Sequence, residues 1–219
     1  MLVKDIMKTD VITLTANATV EEALHLLQKN HIRHIPIINE SNHVIGIISD
    51  RDVRDASPSF LEEHNNRGGI LTRTIKEIMS TPVVTTHPYE FFEEVASIFY
   101  QKEFACLPVV RDKQLVGIVT EKDMLYAFIQ LTGTHSPSTQ LEIKVPDQIG
   151  GVLSDVCQYF TKRNIKIVSV YSYPDPPKDV VYKILVFRIQ TMNPMPVVKD
   201  FQNTDYQILY PYWEDNHEF

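Results

Sequence analysis

Apolar positions along the chain fall into recurring rhythms. From residue 20 they lie three, four and seven apart, at Val20, Ala23, Leu24 and Leu27, which predicts a helix with one buried face. HIPII (34–38) and VIGII (44–48) are β-branched runs on either side of a polar turn, the pattern of a β-hairpin. A shorter β-branched piece, Val11–Thr13, precedes the helix. The hairpin ends in GIISDRD (46–52), where a second helix is expected to open. The predicted unit is β-α-β-β-α.

The chain then writes this unit again. VKDIMKTDVIT, starting at Val3, recurs as IKEIMSTPVVT, starting at Ile75. TVEEALHLLQKNHIRHIPII (19–38) faces FFEEVASIFYQKEFACLPVV (91–110) without a gap, with Glu21-Glu22 over Glu93-Glu94 and Pro36 over Pro108. One residue is lost where Asn39–His43 meets Arg111–Gln114, and Gly46 then falls on Gly117. A polar hairpin turn is where a repeat tolerates a deletion. The second copy supplies its own β-piece, Val83–Thr85, and its own phrase GIVTEKD (117–123), opening a helix over Asp123–Leu131. The repeats are expected to span 1–56 and 75–133. Residues 57–74, rich in Ser, Pro, Asn and Gly, read as a linker, and 134–138 as a second one.

Residues 139–219 follow a different grammar. LEIKVPD reads as a strand and QIGG as a turn. VLSDVCQYFTKRN carries Val152, Leu153, Val156 and Phe160 at helical spacing. The strand IKIVSVYSY, the loop PDPPKD, the long strand VVYKILVFRIQT, the short helix PMPVVKDFQN and the strand YQILYPY complete β-α-β-β-α-β, the split β-α-β, ferredoxin-like order. The fold class expected for the whole chain is α+β.

Charge and composition narrow the function. A net charge of −7 opposes broad contact with nucleic acid or an anionic membrane, both of which need a basic footprint. Cys106 and Cys157 match no zinc or redox spacing and read as reduced core thiols. The opening MLVKDIMKTD is unlike a signal peptide, and no apolar run has membrane-spanning length, so a cytoplasmic location is expected. No nucleophile elbow, P-loop or metalloprotease motif occurs, so neither catalysis, a catalytic cofactor nor a metal is expected. Glu21-Glu22 and Glu93-Glu94 fit helix starts, where acids suit the dipole.

The twice-written phrase has two readings. Ser49 and Asp52, like Thr120 and Asp123, stand three apart at a strand-to-helix junction, which is the spacing of a helix cap. The capping acid is usually Glu or Gln, however, and here Asp stands there twice. An ionised carboxylate, acceptor-only with two oxygens, suits the adjacent hydroxyls of a ribose, and a helix N-terminus beside it favours a phosphate.

On the apolar-Pro hairpin strands and the doubled G-h-h-[ST]-x-x-D phrase, residues 1–132 resemble a tandem pair of CBS domains related by a pseudo-two-fold axis. That resemblance implies two clefts for adenine nucleotides (AMP, ADP or ATP) as regulatory ligands, and an adenine nucleotide as the main partner. It implies ribose contacts at Ser49, Asp52, Thr120 and Asp123, and an adenine wall of Ile35, Pro36, Leu107 and Pro108, with Thr13 and Thr85 opposite. Phosphate contacts fall on Arg33, His34, Arg51 and Lys122. Arg33-His34 also fits a solvated hairpin edge. Repeat two has Ala105-Cys106 there, so two clefts of unequal preference are expected.

The segment 139–219, with VPDQIGGVLSDV at 145–156, resembles an ACT domain. This implies effector contacts at Asp147, Gly150 and Gly151, and pairing of sheets into a homodimer. The bare residues equally fit a tight capped turn. RHIPII, SDRD, ASPS, CLPVV, LTG and QTMNPMP, in the order CBS–CBS–ACT, are together similar to acetoin-utilisation proteins. That implies a non-catalytic regulator with a partner protein in acetoin or acetyl-coenzyme A metabolism. A dimerisation scaffold with vestigial clefts is the alternative.

Overall fold

Each repeat builds its helix and hairpin as the pattern predicts. In the computed structural model, which describes residues 1–56, 73–147, 150–175 and 181–211, α1 spans Val20–Asn30 and buries Val20, Ala23 and Leu27. Thr19 and Glu22 cap it reciprocally: the Glu22 N–H donates to Thr19 Oγ1 at 3.2 Å and the Thr19 N–H to Glu22 Oε2 at 2.7 Å. β1 (His34–Ile38) and β2 (Val44–Ser49) pair antiparallel, and α2 (Asp50–Ala56) follows directly. The second repeat gives α3 (Phe92–Lys102), β3 (Cys106–Arg111), β4 (Gln114–Thr120) and α4 (Glu121–Thr132). A register shift falls at the same place in both hairpins, Ile37/Ile38 and Val109/Val110. Most of the expected linker, residues 57–72, lies outside the described residues, as do Gln148 and Ile149 of the QIGG turn and much of the PDPPKD loop.

The expected strands at Val11–Thr13 and Val83–Thr85 shrink to single parallel bridges, Leu14 to Ile37 and Thr86 to Val109. The Leu14 N–H donates to the Pro36 carbonyl at 3.2 Å, and the Ile38 N–H to the Leu14 carbonyl at 2.9 Å. Continuing this parallel ladder toward Ile12 would require an N–H from Pro36, which proline lacks. Pro108 imposes the same stop beside Thr86.

The opening residues of each repeat pack into the core of the other. Val3 and Ile6 join Phe92, Val95, Phe99, Leu107, Val109 and Val119. Ile75 joins Val20, Ala23, Leu27, Ile35, Ile37 and Ile48, with Ile78 and Met79 against them. Backbone bridges Lys8 to Ile118 and Ile47 to Ser80 seal the exchange. The phrase glycines admit it. A Cβ on Gly46 would collide with Sδ of Met79, and one on Gly117 would lie 2.7 Å from Sδ of Met7.

The chain divides into two compact units, Met1–Ala127 and Phe128–Phe219. In the second, β5 (Thr139–Pro146), α5 (Val152–Lys162), β6 (Ile167–Pro174), β7 (Tyr182–Ile189), α6 (Met195–Phe201) and β8 (Gln207–Tyr210) follow the predicted element order. The sheet is antiparallel in the order β6-β7-β5-β8. Period-two residues Leu141, Ile143 and Val145 pack with Leu185, Phe187 and Ile189 against Val152, Val156, Phe160, Val197, Val198 and Phe201. Leu153, expected on the buried stripe, is 46% exposed: Val152, Val156 and Phe160 already form an i, i+4, i+8 row, and Leu153 turns away from it.

Candidate functional site

Both copies of the phrase form a cap, and both leave an oxygen over. The Ser49 N–H and Oγ–H each donate to Asp52 Oδ2 at 2.7 Å, and the Asp52 N–H donates to Ser49 Oγ at 3.1 Å. At the second copy the Thr120 N–H and Oγ1–H donate to Asp123 Oδ2 at 2.8 and 2.6 Å. Within the described residues Oδ1 of neither aspartate takes a hydrogen bond. The cap and the ribose readings therefore use different oxygens of one carboxylate.

One cleft of the first unit is a cavity of about 510 Å³ drawn from both repeats. Repeat one contributes Lys8, Asp10, Val11, Ile12, His31, Ile32, Arg33 and His34, and repeat two Ala105, Ile118, Thr120, Glu121 and Lys122. Three cationic side chains, Lys8, Arg33 and Lys122, and two histidines, His31 and His34, thus stand against two acids, Asp10 and Glu121. Arg33 and His34 share this cleft with Thr120 and Lys122 of the other phrase. The hairpin backbones explain the meeting. The Asp50 N–H donates to the Arg33 carbonyl at 2.8 Å and the Glu121 N–H to the Ala105 carbonyl at 3.2 Å, so the starts of β1 and β3 hold equivalent places. Both face the same cavity, and Ala105 offers only a methyl where Arg33 offers a guanidinium.

Other expected residues stand elsewhere. Ser49, Arg51, Asp52 and Asp123 do not line this cavity. Ile35, 0% exposed, and Leu107, 1% exposed, have their side chains in the cores of their repeats. The strand alternation that turns them inward puts Pro36 and Pro108 on the opposite face. Thr85 is half-buried, and Thr13 lines a separate shallow depression with Thr15, Asn17 and Glu22. Lys8, Asp10, His31 and Glu121 were not singled out by the sequence. Lys8 and Asp10 reach the cleft because the opening segment crosses to the other repeat, and the only sequence trace is that the second copy has Ser80 and Pro82 instead.

Burial pushes the His34 imidazole below its usual value, against the pull of Asp50 and Asp52 and with a push from Arg33, while Glu121 across the cleft pulls it up. The Cys106 thiol, at the start of β3, is pushed up to about 12 by burial and stays protonated. Among the described residues no group of three His, Cys, Asp or Glu side chains is placed to hold a metal ion. No described helix is long and apolar enough to cross a membrane.

In the second unit Asp147 pairs with Lys183 Nζ at 2.9 Å, and the helix-capping place belongs to Gly151, whose φ of 88° favours glycine. A Cβ on Gly150 would meet nothing within 4 Å, so sterics do not demand glycine there.

The CBS domain family matches residues 3–59 and 75–130. The chain belongs to this family. Among curated relatives, the uncharacterized protein MJ1225 of Methanocaldococcus jannaschii is 33% identical over 60% of this chain and 43% of its own length. L-aspartate semialdehyde sulfurtransferase of the same organism is 35% identical over 58% of this chain and 23% of its own. The chain therefore spans less than half the length of either relative. Among solved structures, the CBS domain pair of MJ0100, in complex with 5′-methylthioadenosine and S-adenosyl-L-methionine, has a TM-score of 0.51 at 34% identity, over 62% of this chain and 98% of that one. The acetoin utilization protein (AcuB) of Vibrio cholerae has a TM-score of 0.53 at 30% identity, over 62% and 95%. The first unit of this chain is a tandem CBS pair.

Proposed function

We propose that the protein is a non-catalytic regulator whose CBS pair binds an adenine nucleotide and passes its presence to a partner. The observation that carries this reading is the basic cleft of Lys8, Arg33, His34 and Lys122 beside the phrase that ends in Asp123. MJ0100, with 34% identity, holds adenosine compounds on the same fold. In that complex one ligand is a sulfonium cation. Here three cations, Lys8, Arg33 and Lys122, outnumber two acids in the cleft, which favours phosphate-bearing AMP, ADP or ATP over a cation. In this reading the adenosine hydroxyls reach past the cleft lining to Oδ1 of Asp123, which adjoins Lys122 in the chain, and by the same logic to Asp52 at the other phrase, with Ser49 and Thr120 fixing the carboxylates. Arg51 belongs to the second phosphate set, on the far side of the pseudo-two-fold.

The second unit is read as an ACT domain in a ferredoxin-like order, with Gly150 and Gly151 at an effector turn and the sheet as a homodimer surface. The likeness to AcuB of Vibrio cholerae, and to the acetoin-utilisation proteins of Bacillus-type bacteria, supports a cytoplasmic role in acetoin or butanediol use, near acetyl-coenzyme A metabolism. One observation favours the scaffold alternative: the phrase closes its own cap without a ligand.

Titration calorimetry with AMP, ADP and ATP tests the reading. Asp123→Asn is the informative variant, because the amide oxygen keeps the cap while the second position becomes a donor. It is expected to weaken nucleotide binding about tenfold or more, roughly 1.4 kcal/mol. No heat with any of the three nucleotides would leave the scaffold.

A further inference from the structure

His34 adjoins both phrases. It begins β1 directly opposite Ser49, and it lines the cavity that also holds Thr120. The charged groups that face it come from every neighbouring element. Arg33 adjoins it, Asp50 and Asp52 belong to α2, and Glu121 opens α4. Lys8 and Asp10 of the opening segment, His31 after α1, and Lys122 share the cleft. Neither ring nitrogen of His34 hydrogen-bonds to another described residue, although the ring is half-buried. Three carboxylates act on this imidazole without overcoming its burial, which holds it below its usual value, so the ring is neutral at pH 7. A phosphate beside Arg33 and Lys122 would add the missing negative charge and an acceptor for a second ring N–H.

We propose that a phosphate-bearing ligand enters this cleft together with a proton, taken up by His34. The inference rests on the nucleotide reading above and deepens it: the site becomes a joint sensor of nucleotide and pH. The sign follows from linkage. The free ring protonates only below its usual range, and the ligand-bound ring protonates above it. Between those two values the complex holds one more proton than its parts, and affinity rises as pH falls, by at most about tenfold per pH unit. The phosphate runs the other way, since its own second proton binds near pH 6, roughly, and reduces its charge. Position 106 shows that this is a property of one repeat: the matching residue is a buried thiol that stays protonated.

The test is calorimetry of the full chain with ADP at pH 7, in two buffers of different ionisation enthalpy. The buffer dependence counts protons. Wild type is expected to take up a substantial fraction of one proton per ADP. His34→Gln is expected to bind ADP more weakly and with uptake near zero. An NMR titration of the wild-type His34 ring, free and with ADP, gives the same answer without a variant, as an upward shift on binding. ADP binding without proton uptake, or equal uptake by His34→Gln, overturns the inference and leaves the nucleotide reading standing. Absence of binding by AMP, ADP and ATP overturns both.

Discussion

At the scale of single residues, the phrase GIISDRD divides its labour. Its glycine serves packing, its serine and aspartate close a cap, and the other aspartate oxygen takes no hydrogen bond from a described residue. The glycine role is the most direct to test. All the close contacts of a Cβ at Gly46 are with the Met79 side chain, whereas at Gly117 the Lys8 carbonyl also lies 3.0 Å away. Gly46→Ala and Gly117→Ala should each cost about 1–3 kcal/mol as overpacking. In a double-mutant cycle, Met79→Ala should relieve Gly46→Ala more fully than Met7→Ala relieves Gly117→Ala, with urea midpoints as the readout. His34 gives a second test, without ligand. Its imidazole is held below 6.5 in the fold, so the unfolded chain binds that proton first. Stability should therefore fall as pH drops through 6.5, and His34→Gln should flatten the slope between pH 7.5 and 5.5. Glu77 and Asp200, also lowered, act only below their usual values of 4.5 and 3.8, outside that window. The cap was legible from the spacing of the doubled aspartate, whereas the ribose reading came from its carboxylate and from the family resemblance. The unused Oδ1 was not, because sequence cannot say which oxygen the cap takes.

At the scale of elements, the two repeats are unequal in their caps. Thr19 closes α1 with its side chain, but α3 begins after Phe91, which offers no side-chain oxygen. The Glu94 N–H donates to the Phe91 carbonyl at 3.2 Å, and Phe91→Thr should add a side-chain acceptor for it and raise stability by roughly 1 kcal/mol, read as a shift in thermal midpoint. A change that lowers the midpoint would mean that the Phe91 ring matters more for packing than its exposure suggests. Hydrophobic spacing made the helices and hairpins readable, because a period of two or 3.6 survives in any environment that has one wet face. It failed at Val11–Thr13, where β-branched residues promised a strand. The deciding fact was a missing N–H on Pro36, a residue of a different strand. Leu153 failed for a related reason: a fourth apolar residue beside the row of Val152, Val156 and Phe160 can face either way until the elements packed against the helix are known.

At the scale of the whole first unit, the exchange of opening segments binds the two repeats into one object. The doubled KDIM and KEIM were visible as a repeat, yet both cores are equally apolar, so nothing in the pattern says which core each copy fills. The same blindness hid Lys8 and Asp10 from the cleft. The exchange makes an unusual prediction about where damage appears. Ile75 belongs by sequence to repeat two, but it is fully buried among Val20, Leu27, Ile35 and Ile48 of repeat one, and its N–H donates to the Ala18 carbonyl at 2.8 Å. Ile75→Ala should cost about 2–5 kcal/mol as a core truncation. Hydrogen exchange should then show the loss in α1, β1 and β2, not in α3, β3 and β4, because local opening follows the packing that was removed. Val3→Ala should do the reverse, with a smaller effect, loosening α3 and the β3–β4 hairpin while α1 keeps its protection. Were Ile75→Ala to expose α3 and its hairpin first, each repeat would be holding its own opening segment in solution. The Lys8 wall of the cleft would then belong to a different arrangement, and a nucleotide held by both repeats would lose its physical basis.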